Sequence, residues 1–140
     1  MNVDYDKQTV NAKNFFARFA HRARLNLSLK IISDVASSNE ISIFDYGCGD
    51  GLFLNQINQK IPNSNLSGYD PYSQKKYENF NLITNLVEVR HKKFDVVCCF
   101  ETLEHLDDAE KKKLFSLINN ILKENGKFVI SVPIIGGLTL

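Results

Sequence analysis

The sequence of 140 residues lacks several features that identify particular protein classes. Its three cysteines are an odd number, so a disulfide framework is not expected. A formal net charge of +1 gives no overall field that would attract nucleic acid or an anionic membrane. No apolar run approaches the roughly 18 residues of a membrane span, and the polar start predicts no signal peptide. These absences predict a cytoplasmic protein without a nucleic-acid partner.

The composition is that of a globular protein, with 44% hydrophobic and 24% charged residues. At this length we expect a single domain over 1–140. Cys98 and Cys99 lie in an apolar, strand-like run, and Cys48 lies in a glycine-rich stretch. They are therefore interpreted as reduced thiols that act as small hydrophobic or loop residues, in preference to a redox role.

Helix-like and strand-like patterns alternate along the chain. The predicted helices are 14–36, about 51–61, 72–78, and a segment from Asp107 to Asn125-Gly126, and the predicted strands are 41–46, 66–70, 81–84, 94–100 and 127–132. This alternation predicts an α/β fold, in which a doubly wound parallel sheet carries helices on both faces and binds its ligand beyond the carboxyl ends of the strands.

The end of the sequence is apolar, Val-Pro-Ile-Ile-Gly-Gly-Leu-Thr-Leu over 132–140. Five strands are also fewer than such a domain usually carries. We therefore expect a C-terminally truncated domain that lacks the last strands of the complete fold. A final strand left at the edge of the sheet would favour a homo-oligomer.

A glycine-rich loop follows the first predicted strand, in the sequence Phe-Asp-Tyr-Gly-Cys-Gly-Asp-Gly over 44–51. Gly47, Gly49 and Gly51 allow positive φ angles and a close approach of the backbone to a ligand. The helix that follows directs its free N–H groups at whatever is bound. The segment is typical of a nucleotide-binding loop.

Two acidic residues accompany this loop. Asp45 precedes Gly47 by two positions and could hold a cationic group of the ligand. Asp70 ends the second predicted strand, where a carboxylate can accept both hydroxyls of a ribose. Asp70 could instead only initiate a turn before Pro71. The glycine loop upstream favours ribose binding.

A third polar cluster, Glu101-Thr-Leu-Glu104-His105, follows the strand at 94–100. Two carboxylates and an imidazole could bind a divalent cation or deprotonate a substrate hydroxyl. If a helical turn begins here, the three side chains share one face. Alternatively, the carboxylates cap the turn or stay solvated while His105 packs.

Four segments together resemble successive motifs of class I S-adenosylmethionine-dependent methyltransferases. They are the loop from Asp45, the acidic residue of Gly68-Tyr-Asp70, the stretch 94–106 and the stretch 122–133. The similarity extends over 41–133 in the order of the family, and four motifs are far more specific than one glycine loop. It implies a Rossmann-like fold with S-adenosylmethionine as the cofactor.

The resemblance also implies roles for individual residues. The methionine part of the cofactor would lie against Asp45, Gly47, Cys48 and Gly49, the ribose against Asp70 and Pro71, the adenine against Asn85 and Leu86, and the methyl group against Phe100 and Glu101. The family often has an acidic residue where this chain has Asn85.

The Glu-x-x-Glu-His pattern is similar to a motif of ubiquinone-pathway O-methyltransferases and small-RNA 2′-O-methyltransferases, where a divalent metal accompanies it. By this analogy Glu101, Glu104 and His105 would bind Mg²⁺ or another divalent cation. Family members without a demonstrated metal also have Glu-His here. In a reaction at a hydroxyl, the catalytic residues would be His105 as base and Glu101.

The expected methyl acceptor is a small molecule or saccharide, methylated at oxygen in preference to nitrogen. Residues 13–30 contain no acidic residue, and an anionic acceptor could dock on their basic side chains, Lys13, Arg18, His21, Arg22, Arg24 and Lys30. A solvated helix face explains the same charges.

Two other functions stay open. A nicotinamide-dependent oxidoreductase would share the glycine loop, but Leu52 stands where its third glycine usually falls. A catalytically silent module could retain the cofactor cleft.

Overall fold

The protein folds into a central parallel sheet with helices on both faces. The structure is a computed structural model, which describes residues 15–36 and 40–132, with side chains from residue 22 onward. The strands are β1 (Ser42–Tyr46), β2 (Asn65–Tyr69), β3 (Asn81–Ile83), β4 (Phe94–Phe100) and β5 (Leu122–Ser131). The helices are α1 (Phe15–Ala36), α2 (Leu52–Lys60) and α3 (Asp108–Ile121), with short 3₁₀ turns at Leu86–Val89 and Leu103–His105. The strand order is β3-β2-β1-β4-β5 and every pairing is parallel, which confirms the predicted fold class.

The centre of the sheet is formed by β1 and β4, whose sequences are apolar on both faces. Five of the seven residues of β4 are buried, as is usual for a strand covered by helices on each side. Ile43 of β1 pairs with Val96 of β4, and Asp45 pairs with Cys98. This register brings the ends of the two strands, and the loops after them, next to each other.

Two hydrophobic clusters pack against the two faces of the sheet. Alternation along β1 directs Ile43 to one cluster and Phe44 to the other. The first contains α1 residues such as Ile32 and α2 residues such as Leu54. The second contains Ile118 of α3. The helices therefore cover both faces, as the alternating pattern predicted.

One predicted helix does not form, and one predicted boundary between a helix and a strand is misplaced. Residues 72–78 form no helix, because Lys75 has a positive φ of 38° and polar contacts hold the segment against the glycine loop. Helix α3 ends at Ile121 and β5 begins at Leu122, five residues ahead of the predicted strand. Leu122 pairs with Phe94 before an irregularity in the ladder, so strand pairing overrides the turn signal of Asn125-Gly126.

Other expectations concern the ends of the chain. Residues 133–140 lie outside the described residues, so the expected truncation stays a prediction. None of the described helices is both long enough and apolar enough to cross a membrane.

Candidate active site

A cleft of about 580 Å³ opens at the carboxyl ends of β1, β2 and β4. The strand order turns around at β1, which lies between β2 and β4, and ligands of open α/β sheets bind at such a point. The polar residues that line it are Arg24, Ser28, Asp45, Tyr46, Asp50, Tyr69, Asp70, Tyr72, Glu101, Thr102, Glu104, His105, Glu110 and Ser131. Gly47, Cys48, Gly49, Pro71 and Phe100 also line it, so most of the predicted site residues come together.

The glycine loop is fixed in a curled shape over the end of β2. Gly47 and Cys48 both donate backbone hydrogen bonds to the carbonyl of Tyr69, at 2.7 and 3.0 Å. Gly47 has a φ of +80°, and a Cβ placed there would lie 2.2 Å from Oγ1 of Thr102. Only glycine fits at this position, because the loop after β4 approaches it so closely.

Asp45 is a buried carboxylate beneath this loop. Its side chain is 2% exposed, and within the described part of the chain its Oδ1 accepts no hydrogen bond. Burial, with added repulsion from Asp70, raises its pKa from 3.8 to about 7. A buried carboxylate oxygen without a hydrogen bond is costly, so the site favours a ligand that brings a cationic group to Asp45.

Asp70 stands at the end of β2 and makes the turn-initiating contact that was one of its two predicted roles, while its role at a ribose stays a prediction. Its Oδ1 accepts a hydrogen bond from the backbone N–H of Tyr72 at 2.8 Å, which is a turn-initiating contact. Its Oδ2 accepts one from the backbone N–H of Gly49 at 3.2 Å. The carboxylate therefore ties the glycine loop to β2 while it lines the cleft beside Pro71.

Asp50 is a functional-site residue that the sequence reasoning missed. It is buried, its Oδ1 accepts from the backbone N–H of Gln74 at 3.0 Å, and its Oδ2 lies 3.4 Å from Nζ of Lys76. These contacts hold the segment after Asp70 against the cleft. Nothing in local spacing reveals them, because the partners lie more than twenty residues away in the chain.

Glu101 follows β4 in a left-handed conformation, with a φ of +49°. Its backbone N–H donates to the carbonyl of Ser131 at 3.0 Å, and its carboxylate forms an ion pair with Arg24 of α1. The role of Arg24 was missed, since the sequence shows only that it belongs to a basic helix. Arg22 and Lys30 are exposed, and the side chains of Lys13, Arg18 and His21 lie outside the described residues.

The predicted metal ligands are arranged differently from a helical cluster. The 3₁₀ turn begins only at Leu103, after Glu101 in its left-handed conformation, so the helical spacing of the three side chains does not apply. His105 Nε2 lies 3.9 Å from Oε1 of Glu104, and the His105 side chain is 77% exposed. Within residues 15–36 and 40–132, no group of three or more His, Cys, Asp or Glu side chains could hold a metal ion. The side chains as arranged do not fit a metal ion.

Asn85 and Leu86, the predicted adenine contacts, are not among the described residues that line the cleft. The Asn85 side chain accepts a hydrogen bond from the backbone N–H of Val87 at 3.0 Å, and Glu88 returns one to the Asn85 N–H at 3.1 Å. This reciprocal cap fixes the 3₁₀ turn after β3. The adenine assignment stays a prediction.

Aromatic side chains form the apolar walls of the cleft. Phe100 packs edge-on against Phe53 of α2 at a centroid distance of 4.7 Å. Tyr46 and Tyr69 lie 5.2 Å apart, and burial, followed by repulsion from Tyr69, raises the pKa of Tyr46 to about 12. Tyr46 therefore stays a neutral donor at physiological pH.

The three cysteines are free and buried. Burial, followed by repulsion from Asp45, raises the pKa of Cys99 to about 12 and those of Cys48 and Cys98 well above the usual range. Such thiols remain protonated and unreactive, in agreement with their interpretation as small hydrophobic or loop residues.

Comparison with known proteins gives relatives of one kind. Ubiquinone biosynthesis O-methyltransferase of Rickettsia canadensis is 28% identical over 112 residues, which cover 73% of this chain and 47% of the relative. Malonyl-(acyl-carrier protein) O-methyltransferase 2 of Ilyobacter polytropus is 30% identical over 109 residues, which cover 69% of this chain and 41% of the relative. The chain thus spans less than half the length of these relatives.

Solved structures show the same fold. Plantazolicin methyltransferase BpumL, in complex with a triazolic desmethylPZN analog and SAH, superposes with a TM-score of 0.66 at 21% identity, over 91% of this chain and 53% of that one. The sugar N-methyltransferase KedS8 from Streptoalloteichus also gives 0.66, at 19% identity, over 100% of this chain and 57% of that one.

A family model described as a methyltransferase domain matches residues 13–135. This range includes the glycine loop, all five strands and every described residue that lines the cleft. The chain therefore belongs to the methyltransferase domain family.

Proposed function

We propose that this chain is the cofactor-binding core of an S-adenosylmethionine-dependent methyltransferase, which transfers a methyl group to oxygen of a small-molecule or saccharide acceptor. The single observation that carries the proposal is the buried Asp45 carboxylate, which lines the cleft without a hydrogen bond to its Oδ1 from the described residues. S-adenosylmethionine brings a sulfonium and an ammonium group, and a cation at Asp45 would compensate its burial.

The rest of the cleft is suited to the same cofactor. Asp45, Gly47, Cys48 and Gly49 would hold its methionine part, Asp70 and Pro71 its ribose, and Asn85 and Leu86 its adenine. Gly47 brings the backbone close to the ligand, since any side chain there would occupy the space of Thr102. When bound, the cofactor supplies a methyl group made electrophilic by the sulfonium.

The chain's own contribution to catalysis is mainly orientation. Phe100, held edge-on by Phe53, would form a fixed wall beside the reacting groups. In-line attack requires the acceptor atom at about 3 Å from the methyl carbon, so a fixed wall lowers the entropic part of the barrier. His105 lines the cleft and would accept the proton of an acceptor hydroxyl, with the Glu104 carboxylate beside it.

The names of the relatives support the proposed class of methyl acceptor. The curated relatives compared above are named O-methyltransferases, and one structural neighbour is named a sugar N-methyltransferase. The first names favour oxygen, and the last favours a saccharide.

Calorimetric titration tests the cofactor proposal directly. S-adenosylmethionine and S-adenosylhomocysteine should bind, and NAD should not. Asp45→Asn should lower the affinity for S-adenosylmethionine at least about tenfold, because a neutral amide cannot compensate the cation. Asp108→Asn, at an exposed position of α3, is the matched control and should bind like the wild type. Binding of NAD alone would favour the oxidoreductase instead.

His105→Gln tests the proposed base. With an acceptor identified by screening phenols and saccharides, we expect turnover to fall about 10²-fold or more while the dissociation constant for S-adenosylhomocysteine changes little. A parallel loss of both would contradict the assignment. Cofactor binding without turnover on any acceptor would favour the silent module.

A further inference from the structure

Asn125 and Gly126 form the one Asn-Gly sequence of the chain. We propose that Asn125 is a modification site, at which the side-chain amide is lost spontaneously through a cyclic imide with the backbone nitrogen of Gly126. The product is an aspartate or an isoaspartate at position 125. The inference is independent of the proposed function, because the reaction needs only these two residues and water.

The reaction is an internal attack followed by hydrolysis. The backbone nitrogen of Gly126 bonds to Cγ of Asn125, the bond between Cγ and Nδ2 breaks, and ammonia leaves with the proton of the attacking nitrogen. Water then opens the ring. Addition of water at Cγ gives aspartate with the normal peptide bond, whereas addition at the backbone carbonyl carbon gives isoaspartate, whose main chain runs through Cβ. Glycine at the second position favours ring closure, because it has no Cβ and its backbone is the least restricted.

The irregular start of β5 leaves this pair outside the regular ladder. Phe94 of β4 pairs with Leu122, and Val96 pairs with Lys127, so residues 123–126 have no ladder partner in the described sheet. Residues of a bulge are left unpaired while the ladder continues on either side. The backbone around Asn125 therefore has more freedom to close the ring than the paired part of the strand.

The Asn125 side chain is also accessible to water. Asn125 is exposed, and Gly126 is half-buried. A cavity of about 400 Å³ lies beside them at the amino end of β4, and its lining residues are Val35, Asp95, Lys123, Glu124, Asn125 and Gly126. Water can therefore reach both carbonyl carbons of the imide.

Asp50-Gly51 is the other place in the chain where an acidic or amide side chain precedes glycine, and the fold protects it. Asp50 is 2% exposed, and its Oδ1 accepts a hydrogen bond from the backbone N–H of Gln74 at 3.0 Å. The backbone N–H of Gly51, which would have to attack, donates to the carbonyl of Cys48 at 3.1 Å. The same ring closure is therefore disfavoured at Asp50.

The fold can accommodate the product at position 125. Isoaspartate adds one atom to the main chain, and the unpaired segment can absorb it while the pairing from Lys127 onward is kept. None of the described residues around the small cavity lines the large cleft. Loss of the amide adds one negative charge, which lowers the formal net charge from +1 to 0.

Peptide mass spectrometry of protein kept for several weeks in warm neutral buffer tests the site. The mass of the peptide that contains Asn125 should rise by one dalton, and electron-transfer fragmentation should show isoaspartate together with aspartate. Asn125→Gln should abolish the gain, because glutamine would have to close a larger ring. Gly126→Ala should slow the gain severalfold, since a Cβ crowds the attacking nitrogen. Asn119→Gln, at an exposed asparagine of α3, is the control and should leave the rate unchanged.

Ion exchange separates the modified protein by its altered charge, and urea denaturation then measures its stability. We expect the same unfolding midpoint as for the unmodified protein, and a clearly lower midpoint would overturn the accommodation by the bulge. An unchanged mass at Asn125, or an equal rate in Gly126→Ala, would overturn the modification site. Isoaspartate at Asp50 as fast as at Asn125 would contradict the protection by the fold.

Discussion

At the scale of single residues, Asp45 makes the stability of the protein depend on pH. Its pKa is about 7 in the fold and 3.8 in the unfolded chain, so between these values the unfolded state releases a proton that the native state keeps. The free energy of unfolding should therefore fall as pH rises from about 4 to about 7, by roughly 1.4 kcal/mol for each unit of pKa difference. Asp45→Asn should flatten this slope and melt higher than the ligand-free wild type at pH 7.5.

Asp95 provides a control, because its effect on the pH dependence of stability has the opposite sign to that of Asp45. Although burial raises its pKa, hydrogen bonds from Ser42 and Lys123 lower it below 3.8 overall. The stability that it contributes is present above the unfolded value and lost as pH falls through the folded one. Asp95→Asn should thus destabilise the protein at pH 7.5. Urea titrations measure the two slopes, from pH 4.5 to 8 for Asp45→Asn and from about pH 3 to 5 for Asp95→Asn. A steeper slope in Asp45→Asn would contradict the first expectation.

Gly47 tests how closely the loops after β1 and β4 approach. Gly47→Ala should lower the free energy of unfolding by about 2–4 kcal/mol, because alanine is strained at a φ of +80° and its Cβ meets Thr102. Gly126→Ala is the matched control. Its Cβ meets Cδ1 and Cγ of Leu122 at 2.7 and 2.8 Å and the backbone oxygen of Lys123 at 3.0 Å, but its φ is one that side chains tolerate. A smaller loss than at Gly47 is therefore expected in chemical denaturation.

What the sequence reveals of the site depends on how far apart the interacting residues lie. Asp45, Gly47 and Asp70 could be predicted because each occupies a fixed place relative to a strand end. Arg24 and Asp50 could not, since their roles come from Glu101 and Lys76, and only the packing of α1 and of the segment after Asp70 brings these partners near.

At the scale of elements, α3 begins with a reciprocal cap between Asp107 and Glu110, an Asp followed three residues later by a Glu. Asp107 accepts from the backbone N–H of Glu110 at 2.7 Å, and Glu110 accepts from that of Asp107 at 2.9 Å. Asp107→Ala should cost about 1 kcal/mol of stability. Asp108→Ala removes only an exposed ion pair with Lys111 and should cost little in the same denaturation measurement. Equal losses would contradict a specific role of the cap.

Elements with strong local signals were predictable, and those decided by tertiary contacts were not. The cap of α3 and the apolar run of β4 are local signals, and the start of α3 and the bounds of β4 follow the sequence. The segment 72–78 is instead held by a hydrogen bond to Asp50, and the first residue of β5 pairs with Phe94 of β4. Neither partner lies within the window over which periodicity can be measured.

At the scale of the whole molecule, β5 forms one edge of the described sheet, next to β4 alone. Ile130 and Val132 are 42% and 50% exposed there. We expect concentration-dependent self-association through this strand, because unpaired N–H and C=O groups and apolar side chains favour pairing with another chain. Ile130→Lys should shift sedimentation velocity profiles toward the monomer. Val87→Lys, equally exposed beyond the opposite edge, should not, and a monomer at every concentration would contradict the expectation.

The all-parallel strand order also determines when the protein can fold during its synthesis. β1 pairs on one side with β4, and the partners Ile43 and Val96 are 53 positions apart. This central pairing therefore closes a long stretch of chain, which makes folding slow. At translation rates of about 5–20 residues per second, several seconds pass between the synthesis of β1 and that of β4, its partner at the centre of the sheet. During that interval its apolar residues are available to chaperones.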